Sequence, residues 1–199
     1  MRFVNRALFG ALFAAIIAAG GCATRTPEEP SGDRGTYEPP TSPLIVVDNL
    51  RNAVIEKNTQ NFMLSLADPS RSSAAYAFEP SAEVGARYQA VFLAWSVDRE
   101  RQAFLSMISR LPVDQRPNLV FSNTQVAFSS PDSLVWVSDY ELTVRLNITA
   151  LPSLLTGTMA LTVTPERSGL WSVSRWRDAK RPGDTVESTW SLLKGQLSN

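Results

Sequence analysis

Histidine is absent from this sequence of 199 residues, and cysteine occurs once, as Cys22. Without histidine the chain cannot form a Ser-His or Cys-His nucleophilic pair or a histidine metal site. A single cysteine also excludes an intramolecular disulfide. We therefore predict no catalytic residue, no cofactor and no metal ion.

An excess of positive charge is also lacking, because 19 basic residues balance 19 acidic ones. Segment 1–21 contains Arg2 and Arg6 but no acidic residue, so the rest of the chain is slightly acidic. Nucleic-acid-binding proteins need a basic surface to neutralise phosphates. We therefore expect no nucleic-acid partner.

No apolar run is long enough to cross a membrane. The N-terminal run, residues 7–19, has 13 residues, whereas a spanning helix needs about 20. Basic residues precede this run and the small residues Gly20 and Gly21 follow it, which is the pattern of a signal peptide over residues 1–21.

The end of this segment, Ala19-Gly20-Gly21-Cys22, resembles the lipobox of bacterial lipoproteins, where Leu-Ala-Gly-Cys is preferred. The resemblance implies lipid attachment to Cys22, cleavage before it, and anchoring in a membrane. Ala23 stands where an aspartate would resemble an inner-membrane retention signal, so we expect the outer membrane, facing the periplasm. Two alternatives remain, namely an ordinary secretory signal with a chance cysteine and an uncleaved anchor.

A flexible tether is predicted over residues 22–41. Five of the 13 prolines lie between residues 23 and 43, among glycines and acidic residues. Such a composition cannot bury enough apolar surface to offset the entropy of ordering, so the segment should stay extended. A single folded domain is then expected over residues 42–199.

Apolar residues at helical spacing predict helices in this domain. Ser42 and Pro43 are a typical helix start. Thr59 is the predicted cap of the second, short helix, and Ser96 is the predicted cap of the helix that begins at Val97. Helix Val97–Leu111 should place Phe104 and Met107 inside, with Arg99, Glu100 and Arg101 outside. The predicted helical segments are 43–57, 59–66, 81–87, 97–111 and 188–197.

After Pro117 the apolar period changes to two, which predicts strands. Strands are predicted over 74–79, 119–128, 134–148, 154–164 and 170–178. Helices followed by four antiparallel strands predict an α+β fold, with one sheet face covered by helices and the other exposed to water.

This order of elements resembles the nuclear transport factor 2-like (SnoaL-like, cystatin-type α+β) superfamily over roughly residues 42–196. The similarity is carried by the opening helices around residues 49–53 and 62–66, the last strand 170–178, and the tail 190–194, which is similar to that of a group of uncharacterised lipoproteins. The resemblance implies N-terminal helices packed on a strongly curved, cone-shaped sheet. In this superfamily the cone serves as an enzyme site, a ligand pocket or a dimer face, and its usual Asp-His pair is impossible here.

Two sets of side chains are candidate functional residues. Asp139, Glu141 and Arg145 share one strand face, either as a carboxylate pair for acid–base chemistry or as a solvated outer face paired with Arg175 and Arg177. Aromatic residues form the second set, either as the lining of an apolar pocket or as core. Its candidate ligand-binding residues are Tyr140, Trp136 and Trp95, with Tyr140 as the polar tip.

We expect a lipid-anchored cell-envelope protein that acts as a non-catalytic binding or accessory module. Its expected partners are the membrane, through Cys22, and a second copy of the chain, another envelope protein or a small hydrophobic ligand. The alternative is a SnoaL-like isomerase, cyclase or dehydratase that uses a buried carboxylate and Tyr140 on a small hydrophobic substrate.

Overall fold

The computed structural model describes residues 35–149 and 151–198. The predicted signal peptide, Cys22 and most of the predicted tether lie outside the described residues. Among the described residues, no helix is both long enough and apolar enough to span a membrane.

Six helices are present in the described part of the chain, and most of their predicted positions are confirmed. Ser96 caps its helix, as predicted, by accepting a hydrogen bond from the N–H of Arg99 at 3.4 Å. The second helix is capped by Asn58, not by Thr59, because the Asn58 amide oxygen accepts the N–H of Asn61 at 3.0 Å. The helices are α1 (Pro43–Ile55), α2 (Thr59–Leu64), α3 (Ala82–Arg87), α4 (Gln89–Phe92), α5 (Val97–Arg110) and α6 (Trp190–Ser198), of which α4 was not predicted.

The strands form one five-stranded sheet in the order β1-β5-β4-β3-β2. Strands β2 to β5 are antiparallel neighbours, as predicted, whereas the short β1 pairs in parallel with β5. Register shifts in β2 and between β4 and β5 mark bulges, which bend strands. The strands are β1 (Ala77–Glu79), β2 (Asn118–Ser130), β3 (Ser133–Thr143), β4 (Leu154–Pro165) and β5 (Trp171–Ala179).

Strand β3 is shorter than predicted, because it ends at Thr143 and not at Ile148. Val144 still donates its N–H to the carbonyl of Ser153 at 2.9 Å, but residues 145–149 have left the sheet. The alternation within β3 is confirmed, since Trp136, Tyr140 and Leu142 are buried. The buried side chains of β3 therefore lie within the part of the strand that pairs with β4.

Helix α6 has an unusual environment for a helix at the end of a chain. Every residue from Trp190 to Gly195 is buried, on all sides of the helix. It contacts α3, α4 and α5 as well as β4. A helix that is buried all round belongs to the interior of a protein, so α6 lies inside the fold and not on its surface.

Candidate functional site

Helices α1 and α6 both pack against the inner face of the sheet. Between α6 and helices α2 and α5, a cavity of about 10 Å³ remains, lined by Phe62, Glu100 and Lys194 among others. A cavity of this volume holds at most about one water molecule. It therefore has no room for a small-molecule ligand while α6 is in place.

A buried ion pair joins α6 to α5. The ammonium group of Lys194 lies 2.8 and 2.9 Å from the two carboxylate oxygens of Glu100. Both side chains are only 2% exposed. Glu100 also accepts the hydroxyl of Tyr76 at 3.0 Å and the indole N–H of Trp95 at 2.7 Å. The prediction that Glu100 lies on the outside of its helix is therefore wrong, because four polar contacts offset its loss of water.

Aromatic rings surround the ammonium group of Lys194. Its Nζ atom lies 3.4 Å from the ring centre of Phe78, 4.0 Å from that of Trp176 and 5.7 Å from that of Trp95. A cation within about 6 Å of a ring centre is attracted by the electrons of the ring face. Burial lowers the pKa of Lys194, and the carboxylate of Glu100 opposes this shift.

A second buried carboxylate, Asp178, lies near the end of β5. It accepts the hydroxyl of Tyr140 at 2.8 Å, and the backbone N–H and the hydroxyl of Ser191 at 2.6 and 2.5 Å. Burial raises the pKa of Asp178 to about 6, although these hydrogen bonds oppose the shift. The Asp178 carboxyl group can therefore exchange a proton near neutral pH, which is a property of general acid–base groups.

The hydroxyl of Tyr140 connects this carboxylate to α6. It accepts the backbone N–H of Trp190 at 2.6 Å while donating to Asp178. Burial raises the pKa of Tyr140 well above its ordinary value, so the phenol stays neutral and can act as a donor. Gly157, opposite Tyr140 on β4, provides the space, because a Cβ atom there would lie 2.6 Å from the hydroxyl oxygen. Tyr140 thus holds the start of α6 in place.

The three aromatic residues predicted to bind a ligand lie in different parts of the interior. Tyr140 and Trp95 donate hydrogen bonds to the two buried carboxylates, Asp178 and Glu100 respectively. Trp136 is buried and packs edge-on against Phe121, with ring centres 4.9 Å apart. The structure thus connects Tyr140 and Trp95 to the charged groups and places Trp136 in the apolar core.

The charged residues of β3 lie on the outer face of the sheet, but their expected partners were wrong. Asp139 accepts hydrogen bonds from Asn123 at 2.8 Å and from Thr158 at 2.5 Å. Glu141 lies 3.5 Å from Arg181. Arg175 and Arg177 bind Glu79 on the neighbouring strand β1, because β1 pairs in parallel with β5. Arg145 lies beyond the end of β3.

Asp178, Glu100 and Lys194 were missed as site residues, although the periodicity contains a signal for each. Asp178 follows the buried Trp176 by two positions on the same strand. Glu100 precedes the buried Phe104 by four positions on α5, and Lys194 follows Trp190 by four on α6. Each charge therefore lies in phase with an apolar face. Among the described residues, no group of three or more acidic side chains is placed to hold a metal ion.

Comparison with solved structures shows the fold. No protein-family model and no curated protein matches the sequence. An NTF2-like superfamily protein from Salmonella enterica is similar with a TM-score of 0.51 at 8% identity, over 71% of this chain and 89% of that one. An NTF2-like protein from Cytophaga hutchinsonii is similar with a TM-score of 0.50 at 13% identity, over 69% and 94%.

A third similar structure is a proposed aromatic ring hydroxylase from Novosphingobium aromaticivorans. It has a TM-score of 0.50 at 10% identity, over 69% of this chain and 85% of that one. At such identities the similarity shows the fold alone. The chain has an NTF2-like α+β fold, as predicted.

Proposed function

We propose that this protein is a lipid-anchored cell-envelope protein, held at the outer membrane through Cys22, that acts as a non-catalytic binding or accessory module. One observation carries the non-catalytic part of this proposal. Helix α6 is buried against the sheet, and the two carboxylates beside it, Glu100 and Asp178, are bonded to side chains of the protein itself. A reacting substrate would need the space that α6 occupies.

The outer surface of the sheet then becomes the contact surface. Strand β2 lies at the edge of the sheet, and an edge strand presents backbone groups with which another chain can pair. Its apolar side chains Val120 and Phe128, which lie opposite Glu141 and Val135 on the outer face of β3, are 47 and 53% exposed. A depression of about 420 Å³ also lies on this face, between Val135 on β3 and Arg175 and Arg177 on β5. These features support binding of another protein chain.

Photo-crosslinking in cells tests the contact surface. A photoreactive amino acid at Phe128 should give a defined adduct, whereas the same group at Leu93, which is 84% exposed and lies in another part of the fold, should not. An adduct of twice the chain mass would identify a second copy, and any other mass an envelope partner. Equal labelling at both positions, or none, would contradict the proposal.

Metabolic labelling tests the lipid anchor. Cells supplied with a clickable fatty acid should label the wild-type chain and should not label Cys22→Ser. Membrane fractionation should then place the labelled chain with the outer membrane. A mature chain that begins at a residue other than Cys22 would disprove the anchor.

An enzyme is the second candidate, because Asp178, with a pKa of about 6, lies beside Tyr140. Complementation of a deletion strain separates the two functions. If the protein is a binding module, Asp178→Asn at a matched folded amount should still complement and still crosslink through position 128. Loss of complementation with retained folding and crosslinking would favour the enzyme.

A further inference from the structure

The surroundings of Lys194 have the composition of a binding site for an organic ammonium group. Three aromatic rings, Phe78, Trp95 and Trp176, lie within 5.7 Å of its Nζ atom, and Glu100 supplies the opposite charge. Aromatic rings around a cation are the arrangement by which proteins recognise ammonium ligands. We call these four residues, together with Tyr76, the ammonium cage.

All five residues of the ammonium cage lie outside α6, which supplies only the cation. Phe78 belongs to β1 and pairs with Trp176 on β5, while Glu100 belongs to α5. Tyr76 precedes β1, and Trp95 lies between α4 and α5. The cage is therefore built from β1, β5, α5 and the segments next to them, and Lys194 enters it from α6.

Contacts within the cage hold its groups in position independently of Lys194. Phe78 packs against Trp95 and Trp176 with ring centres 5.8 and 5.9 Å apart. The carboxylate of Glu100 is held by the hydroxyl of Tyr76 and the indole N–H of Trp95. The face of the Trp176 ring is turned towards the cation, and its buried indole N–H has no hydrogen-bond acceptor among the described residues. A preorganised site binds its ligand with less loss of entropy.

We infer that the ammonium cage is a binding site for a primary ammonium group on a slender aliphatic stem, and that Lys194 occupies it as an internal ligand. The primary ammonium is specified by Glu100, since both of its carboxylate oxygens accept from Nζ. The stem must be slender because the residues of α6 around position 194 are buried, so that a branched stem would collide with them. This inference does not depend on the proposed function.

Replacement of the lysine by an external amine tests the inference. The variant Lys194→Ala removes four side-chain atoms, which n-propylammonium supplies again. Calorimetric titration of the full-length chain in detergent should show one site for n-propylammonium in Lys194→Ala, and the midpoint of thermal unfolding should rise with amine concentration. The neutral 1-propanol should bind at least about tenfold more weakly, because it lacks the charge attracted by the rings and the carboxylate.

Two matched controls define the site. The wild-type chain and Lys57→Ala should show no such binding, since Lys57 is held by the carbonyl oxygens of Val113 and Gln115 and not by aromatic rings. In the Lys194→Ala background, Glu100→Gln should weaken amine binding at least about tenfold. Equal binding of the amine by Lys194→Ala and Lys57→Ala, or equal effects of 1-propanol and the amine, would overturn the inference.

Refolding provides the readout if Lys194→Ala does not fold unaided. Dilution from urea into n-propylammonium should then restore the native tryptophan fluorescence, while 1-propanol should not. If the amine gives no more folded protein than 1-propanol does, Lys194 is a structural part of the core only and the inference fails.

Discussion

The buried carboxyl group of Asp178 should make this protein less stable as the pH rises from about 4 to about 7. Its pKa is about 6 in the folded chain, against an ordinary value of 3.8. Between these values the folded state keeps a proton that the unfolded state has lost. Proton binding to the folded state therefore favours folding below the ordinary pKa, and this contribution disappears as the pH rises through about 6.

The size of the effect follows from the shift in pKa. A difference of about two units corresponds to about 3 kcal/mol in the free energy of unfolding. Because Asp178 is 2% exposed, water screens this effect little. The pKa of about 6 already contains the effect of the hydrogen bonds from Ser191 and Tyr140, which lower the pKa from the higher value that burial alone would give.

Urea unfolding followed by tryptophan fluorescence measures this effect. The wild-type chain and Asp178→Asn should be compared at several pH values from about 4 to about 7.5. Partly buried carboxylates with lowered pKa values, such as Asp68 and Asp139, act in the opposite direction at lower pH but are present in both proteins. The difference between the two free energies isolates Asp178, and over this pH range the wild type should lose about 2.5 kcal/mol relative to the variant, because part of the full effect lies below pH 4. A difference that stays constant over this range would refute the raised pKa of the buried Asp178 carboxyl group.

Three further substitutions test the packing around α6 by urea unfolding. Lys194→Met should lower the free energy of unfolding by about 3–5 kcal/mol, because Glu100 is left buried without its partner. The double variant that also carries Glu100→Gln should recover most of this loss. No recovery in the double variant would contradict the pairing of the two residues. Gly157→Ala should cost about 1–3 kcal/mol, because its Cβ would meet the Tyr140 hydroxyl, and unchanged stability would contradict that close approach. Tyr140→Phe should lower the free energy of unfolding by about 1–3 kcal/mol, because it leaves the Trp190 N–H buried without an acceptor. Phe121→Leu is the control, since it removes no hydrogen bond. An equal loss of stability in the control would indicate that packing and not hydrogen bonding explains the effect.

Local patterns were sufficient to predict most of the secondary structure. The period of two placed Trp136, Tyr140 and Leu142 on the inner face of β3, where they are buried. The change from helical to strand periodicity near Pro117 predicted the α+β order. These patterns succeed because the burial of an apolar side chain depends on its own transfer free energy and its position within one element.

Features set by distant contacts were not predicted. The short strand β1 was expected, but its parallel pairing with β5 joins residues 77–79 to residues 175–177. That pairing brings Glu79 to Arg175 and Arg177, which were expected to pair with the charged residues of β3, two strands away from β5. Strand order is a property of the whole sheet, so periodicity along one strand does not contain it.

The interior charges show why the candidate site was the hardest part to predict. Glu100 and Lys194 are 94 positions apart, and burying either charge without the other would cost several kcal/mol. An interpretation that considers one residue at a time therefore assigns each charge to the surface. That assignment would be right for a charged residue without a partner, because such a residue is more stable in water. Their burial becomes favourable only as a pair, inside a ring of aromatic side chains that attracts the cation. In this chain, a charged residue in phase with an apolar face is thus better interpreted as buried with a polar partner, as Glu100 is with Lys194 and Asp178 with Tyr140. The search for that partner should extend to every other apolar face of the chain.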